Sequence, residues 1–308
     1  MRDPTADRAA VWRADGLLLL TAALWGTGFV AQREASVHLD ALTYNASRFV
    51  VATLALLPIA LRWGRQTPPG GWTGGRAWAA GAAAGAVLFL ASWLQQAGVA
   101  HTTAGNAGFI TGLYVILVPI LGWFGGTRPA IATWPAAGLA VVGLYLLSGT
   151  SGGTLGRGDT LVLASALVWA LHVLLVGRFA PRMNGVQLAW QQMAFAAVLS
   201  LLVAVPTGGI PGDGLKAATG PILYNGLVCG AVAYTLQILG QRHAPPAHAA
   251  LLMSLEAVSA ALFGGLLLDE HLGVRGWLGC LLMLLGCVII QVPLVWRRPS
   301  EASAAGMG

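Results

Sequence analysis

Charge is what this chain has least of: Asp, Glu, Lys and Arg together make up 9% of its 308 residues, against 56% hydrophobic residues. Its mean hydropathy is +0.72. That leaves too little polar surface to cover a soluble globule of this size, which excludes a water-soluble enzyme or binding domain and points to a bilayer. Cysteine is also scarce. Cys229, Cys280 and Cys287 all lie inside apolar runs, so neither a disulfide framework nor metal-ligand spacing is visible, and each thiol behaves as a small hydrophobe. No GxxxxGK[ST] sequence occurs, which argues against ATP-driven pumping by this chain alone. The net charge of +6 is not gathered into a basic arm or domain, so nucleic acid is not an expected partner. Neither a cofactor nor a metal is expected.

What the sequence does contain is long apolar runs. A spanning helix needs about 20 mostly apolar residues, and ten such runs can be read, at 14–32, 41–61, 77–98, 104–125, 131–148, 159–179, 186–205, 218–240, 247–268 and 276–295. The expected fold is an all-α integral membrane protein with ten transmembrane helices. Arg2, Arg8 and Arg13 before the first run resemble the start of a secretory signal, but nine further spans favour an uncleaved anchor. Residues 1–13 are expected to be a polar tail, with Asp15 at the positive end of the first helix dipole. Residues 299–308, rich in Ala, Ser and Gly, are expected to be disordered.

The chain also repeats itself. Residues 101–122 and 243–264 align at an offset of 142, pairing His101 with His243, Leu113 with Leu255 and Gly122 with Gly264. Residues 15–25 and 159–169 align at an offset of 144, with five identities in eleven. The reading is two five-helix units, 1–150 and 151–308. An odd number of spans makes the second unit enter the membrane from the opposite side. Such inverted repeats are typical of secondary transporters, which bind substrate near the bilayer midplane between the halves.

With the N-terminus inside, Arg2, Arg8, Arg13, Arg62, Arg65, Arg76, Arg128, Arg178, Arg182, Arg242, Arg297 and Arg298 fall on the cytoplasmic side. Only Arg33, Arg157, Lys216 and Arg275 fall outside. The positive-inside rule then predicts a multi-pass protein of the cytoplasmic (inner) membrane with both termini cytoplasmic. Small residues in helical spacing, Gly81 with Gly85 and Gly108 with Gly112, predict close helix packing, as do Ala257 with Ala261 and Ala260 with Gly264. Pro119 is expected to kink the fourth helix.

Two charges fall deep inside spans, Arg48 and Glu256, where each costs roughly 2.5–3.5 kcal/mol at the helix centre. A functional role has Arg48 attracting an anionic group and Glu256 binding a cation or proton. A structural role has them satisfied by each other, by His248 or by helix carbonyls. Uncharged candidates for a cavity wall are Trp25, Tyr44, Asn106, Tyr114, Trp169, His172, Gln192, Tyr234 and Gln237, with Asn45, Gln95, Trp190, Gln191, Tyr224 and Asn225 on the same spans. Such walls suit small amphipathic organic solutes. For each aromatic the alternative is an interfacial or lipid-facing position.

The sequence resembles the drug/metabolite transporter superfamily, in its ten-helix members built from two EamA-type repeats. The resembling residues are Trp25 and Gly26, Arg48 and Phe49, TTAGNAGFITGLYVILVPIL at 102–121, GDTLVLASALVWALHV at 158–173, AYTLQILGQ at 233–241 and LLMSLEAV at 251–258. The resemblance implies a secondary active transporter of small organic metabolites or drugs working by alternating access, an exporter rather than an enzyme. It is silent on the solute. The family often has Leu-Glu-Pro in helix 9, but Ala257 follows Glu256 here, so a proline kink is not expected there. The carboxylate that small multidrug members use in their first helix has no counterpart. Expected partners are a small-molecule substrate and the lipid bilayer, with a proton or ion as candidate coupling partner, in a monomer or homodimer. The alternative is a polytopic membrane enzyme acting on lipid-like substrates, for which Asp269, Glu270 and His271 are the nearest cluster of acid-base groups.

Overall fold

In hydrocarbon a backbone must satisfy its own polar groups, which helices do. In the structure, a computed structural model that describes residues 4–64, 66–102, 104–147, 156–208, 212–268 and 273–296, every regular element is helical. Eight helical stretches among the described residues are long and apolar enough to cross a bilayer: Ala9–Ala35, Ala41–Trp63, Gly74–Val99, Ala107–Phe124, Arg157–Arg182, Gly185–Thr207, Thr219–Gln241 and Pro246–Phe263. Two shorter apolar helices, Thr133–Leu146 and Val274–Ile290, stand where the fifth and tenth spans were expected. The C-terminal tail and the Asp269, Glu270, His271 cluster lie outside the described residues.

Helix α1 (Pro4–Ala35) starts well before the expected boundary. The segment expected as a polar tail is therefore helical as far as it is described. Asp15 is not at a helix start; it is buried and its Oδ1 lies 2.7 Å from His248 Nε2. It thus joins Arg48 and Glu256 among the buried acidic and basic side chains, where the sequence had suggested only a charge at the start of the first helix. Then come α2 (Ala41–Trp63), capped by Asp40 accepting from Leu42 and Thr43 N–H, and α3 (Gly74–Val99).

The fourth expected span is two helices, α4 (Ala104–Gly112) and α5 (Tyr114–Phe124). The break falls at Leu113 and not at Pro119, which sits inside α5. Helices α6 (Thr133–Leu147), α7 (Arg157–Phe179), α8 (Gly185–Gly208) and the short α9 (Gly212–Ala217) follow. The eighth span is α10 (Thr219–Tyr224), a π-helical stretch (Asn225–Ala233) and α11 (Tyr234–Gln241). The ninth is again broken, into α12 (Pro246–Met253) and α13 (Glu256–Leu268), and α14 (Val274–Trp296) ends the described chain.

The two breaks are equivalent. Leu113 N–H donates to Ile110 O at 3.2 Å and Leu255 N–H to Leu252 O at 3.3 Å, the same tightened turn at positions 142 apart. Glycine at 112 weakens the first helix there. In the second, Ser254 Oγ takes the Leu251 carbonyl at 2.7 Å, a back-bond that competes with the helix ladder. The ninth span has no proline kink, as expected, and is broken instead at Ser254 and Leu255.

Helix packing repeats in the same way. A Cβ on Gly98 would lie 2.8 Å from Gly158 O and 2.6 Å from Val162 Cγ2, and one on Gly240 would lie 3.1 Å from Ala14 O and 2.8 Å from Leu18 Cγ. Shifting the first set by 142 and 144 positions gives the second. Likewise Gly85 abuts Gln192 O at 2.8 Å, and Gly226 abuts Arg48 O at 2.9 Å. Here the glycines are 141 apart, so the second copy has gained one residue between Gly226 and Gly240. The π stretch lies in that interval, as expected when a residue is added to an α-helix without breaking it. At larger scale α2 packs on α8 and α6 on α14, while α3 against α7 recurs as α11 against α1.

Of the predicted packing residues, Gly81 and Gly85 face α8, against Gln191 and Phe195. A Cβ on Gly112 would lie 2.9 Å from Leu144 Cδ2 of α6, whereas one on Gly108 would lie no nearer than 3.8 Å to Ala260 Cβ of α13. The pair is thus divided between two neighbours. The surroundings of Gly264 are not described. Trp12, Trp63, Trp123 and Trp277 are exposed near helix ends, where indoles anchor to the membrane interface.

Candidate functional site

A close approach between the halves builds the site. Gly26 of α1 lies so near α13 that a Cβ would sit 2.6 Å from Glu256 O, which brings the next side chain of α1 and the first of α13 to one cavity. Its wall takes Trp25, Phe29 and Gln32 from α1, Arg48 from α2, Gln95 from α3, and Thr111 and Tyr114 from either side of the α4–α5 break. Trp169 and Val173 come from α7, Asn225 and Cys229 from the π stretch, Tyr234 and Gln237 from α11, and Glu256 from α13. The cavity is tight, with about 40 Å³ open to the centre of a water molecule.

One face is aromatic. The Tyr234 ring lies between the repeat-related tryptophans, with centroids 4.8 Å from Trp25 and 6.2 Å from Trp169. Trp25 Nε1 donates to Cys229 O at 3.3 Å, a bond that ties this wall to the π stretch. Behind Tyr234, His172 is fully buried with Nε2 3.0 Å from Gln192 Oε1 and its ring edge-on to Trp169 at 5.6 Å.

The other face is charged. Arg48 Nε donates to Asn45 Oδ1 at 2.9 Å, and its guanidinium carbon lies 5.3 Å from the Tyr44 centroid and 4.9 Å from that of Phe49. The ion pairs between described residues are Lys216–Asp213 and His248–Asp15, so Arg48 and Glu256 are not joined to each other, nor Glu256 to His248. The Tyr114 phenol faces the Glu256 carboxyl without closing a bond onto it, since Tyr114 Oη and Glu256 Oε1 both lack a hydrogen-bond partner. Tyr114 and Glu256 are the aligned residues of the two repeats, each opening the helix after its break.

Several cavity-wall groups are similarly unpartnered: Trp169 Nε1 as donor, and Asn225 Oδ1, Gln237 Oε1 and Gln32 Oε1 as acceptors. A buried polar atom left so costs about 1–3 kcal/mol. Of the sequence candidates, Glu256, Arg48, Trp25, Gln95, Tyr114, Trp169, Asn225, Tyr234 and Gln237 line the cavity. Tyr44 does not: it is buried beyond Arg48 against Leu39, Ala218 and Ile222. His172 and Gln192 form a second layer, and the Asn106 side chain lies outside the described residues. Phe29, Gln32, Thr111, Val173 and Cys229 were missed. Phe29 and Gln32 follow Trp25 at helical spacing, a signal that would have found them.

Two copies of one family model cover this architecture. The model of the EamA-like transporter family matches residues 12–149 and again 156–292. The chain belongs to the EamA-like transporter family. A relative in Archaeoglobus fulgidus described as an uncharacterized transporter is 31% identical over 284 residues, covering 91% of this chain and 86% of the relative. A solved crystal structure of a protein superposes with a TM-score of 0.70 at 19% identity, over 94% of this chain and 99% of that one. At that identity the likeness concerns the fold alone. The family assignment makes this EamA-like protein a multi-pass membrane transporter.

Proposed function

We propose that this transporter is a secondary active carrier that moves small organic metabolites or drugs by alternating access, in the export direction, with both termini cytoplasmic and its two halves as inverted five-helix repeats. The observation that carries the reading is the cavity between the halves. Trp25, Trp169 and Tyr234 offer flat apolar walls, while Arg48, Glu256 and the unpartnered amide and indole groups offer polar contacts. Only about 40 Å³ of it is open to the centre of a water molecule, well below the roughly 300–1,000 Å³ usual for small-molecule sites. The narrow part admits little more than water, so an organic solute requires the walls to part, as alternating access demands. Equivalent breaks and glycine contacts in the two halves give two similar hinges, one for each gate.

Purified protein in proteoliposomes, supplied with solute mixtures and an imposed proton or ion gradient, tests this. Gradient-dependent movement of a small organic solute is expected. Turnover of lipid without vectorial movement would favour the membrane-enzyme alternative, against which the family assignment already speaks.

A further inference from the structure

We propose that a groove on the flank of the bundle, between α2 and α3 and over α8, is a binding site for one anionic phospholipid. Its walls are Leu57 and Leu61 in the last turns of α2 and Trp78 near the start of α3, and its floor is Trp190 of α8. About 400 Å³ of it is open to the centre of a water molecule, within the roughly 300–1,000 Å³ usual for small-molecule sites. It shares no lining residue with the central cavity, so it is a separate place.

The groove follows from how three helices meet. Helices α2 and α3 each pack along α8 and touch each other far less, which leaves a cleft between them with α8 beneath. Gly85 draws α3 onto α8, since a Cβ there would lie 2.8 Å from Gln192 O. Toward the start of α3, Trp78 is 47% exposed, with its ring edge-on to Trp190 at 5.9 Å and to Phe195 at 6.1 Å. Because α2 and α3 belong to the first half and α8 to the second, a molecule in the cleft touches both halves.

One end of the groove is polar and fixed in place. The segment 66–73, which joins α2 to α3, is strapped to the connection between α7 and α8. Trp72 N–H donates to Arg182 O at 2.7 Å, and Asn184 Nδ2 donates to Trp63 O at 3.1 Å and to Gln66 O at 2.8 Å. Thr67 and Thr73 of this segment and Gln187 of α8 line the groove, supplying hydroxyl and amide groups. Thr73 makes no side-chain bond to the helix it precedes.

Charge decides the occupant. Arg62 is in the last turn of α2 and Arg76 in the first turn of α3. The guanidinium carbons of Arg76 and Arg182 lie 4.7 Å and 5.6 Å from the Trp72 ring centroid, and all three arginines are exposed. No Asp or Glu occurs in 41–158 or 160–212, so these helices and their connections offer the rim no acidic side chain. A basic rim over an apolar cleft matches a phosphodiester headgroup with an acyl chain running down between Leu57, Trp78 and Trp190. A soluble anion would leave those apolar walls uncovered, and a zwitterionic lipid brings its own cation to the rim.

Native mass spectrometry of the purified protein, with phosphatidylglycerol or phosphatidylcholine added to the detergent, tests this. One phosphatidylglycerol per chain is expected to bind more tightly than phosphatidylcholine. Arg62→Gln and Arg76→Gln should each weaken it about fivefold, the weight of one basic side chain near an anionic lipid, and leave phosphatidylcholine unchanged. Arg157→Gln should change neither, because Arg157 lies at the opposite end of α7 from Phe179, which packs on Trp72 at 5.7 Å. Ala60→Phe, which puts a ring into the groove, should abolish the preference with every arginine in place. Equal retention of the two lipids, an equal loss with Arg157→Gln, or a preference that survives Ala60→Phe overturns the proposal. Displacement of phosphatidylglycerol by a transported solute also overturns it, since the groove would then be part of the solute path. The arginine variants alter only exposed side chains, so their outcome decides even where Ala60→Phe fails to fold. Binding is measured without solute: lipid preference without flux would sink the carrier and leave the site, and flux without preference the reverse.

Discussion

At the scale of single residues, physical cost was the most informative signal. Arg48 and Glu256 stand out in sequence because charge inside a span must meet protein or water, and both reach the cavity wall. Tyr44, on the same face of α2 one turn before Arg48, does not. Helical spacing assigns a face but not a depth along it, and Tyr44 is covered by Ala218 and Ile222 of the eighth span. Asp15 escaped notice for the opposite reason, because a carboxylate near the edge of an apolar run has the sequence look of a solvated helix end, and its histidine partner is 233 positions away. Glu256→Gln is expected to assemble normally and to lose transport by about tenfold, or to change the preference for charged solutes. The loss corresponds to one charge-assisted contact of about 1.5 kcal/mol. Unchanged rate and preference in a folded variant would make Glu256 structural.

At the scale of elements, the repeat was legible in outline and its consequences were not. The sequence aligns Leu113 with Leu255, but nothing in either residue announces that both spans break there. The π stretch was equally hidden, since one added residue in an apolar run leaves composition untouched. It becomes visible only when glycine contacts are compared between halves. Those contacts carry a prediction of their own. Gly98→Val and Gly240→Val should each lower stability by about 1–3 kcal/mol through overpacking against Val162 and Leu18, read as loss of thermal stability in detergent. Gly138→Val, where an added Cβ meets nothing within 4 Å, should leave it nearly unchanged. Equal effects at all three positions would mean that close backbone approach is not what the repeated glycines provide.

For the whole molecule, orientation is the property on which the direction of transport depends. The ten-span reading of the sequence puts twelve arginines on one side against four positive residues on the other, a bias that membrane insertion reads as topology and to which contacts inside the bundle are indifferent. Two exposed positions at opposite expected faces report it: Gln66, between α2 and α3, and Asp213, on the short α9 before the eighth span. In a background with Cys229, Cys280 and Cys287 replaced, Asp213→Cys should react with an impermeant maleimide added outside intact cells. Gln66→Cys should react only after the membrane is opened. Neither substitution removes a buried contact, because Asp213 pairs only with Lys216 at the surface at 3.6 Å, a contact worth about 0–1 kcal/mol. Labelling of Gln66→Cys with protection of Asp213→Cys would invert the molecule. Labelling of both from one side would require an even number of spans between residues 66 and 213. That would remove the inverted repeat and with it the paired gates.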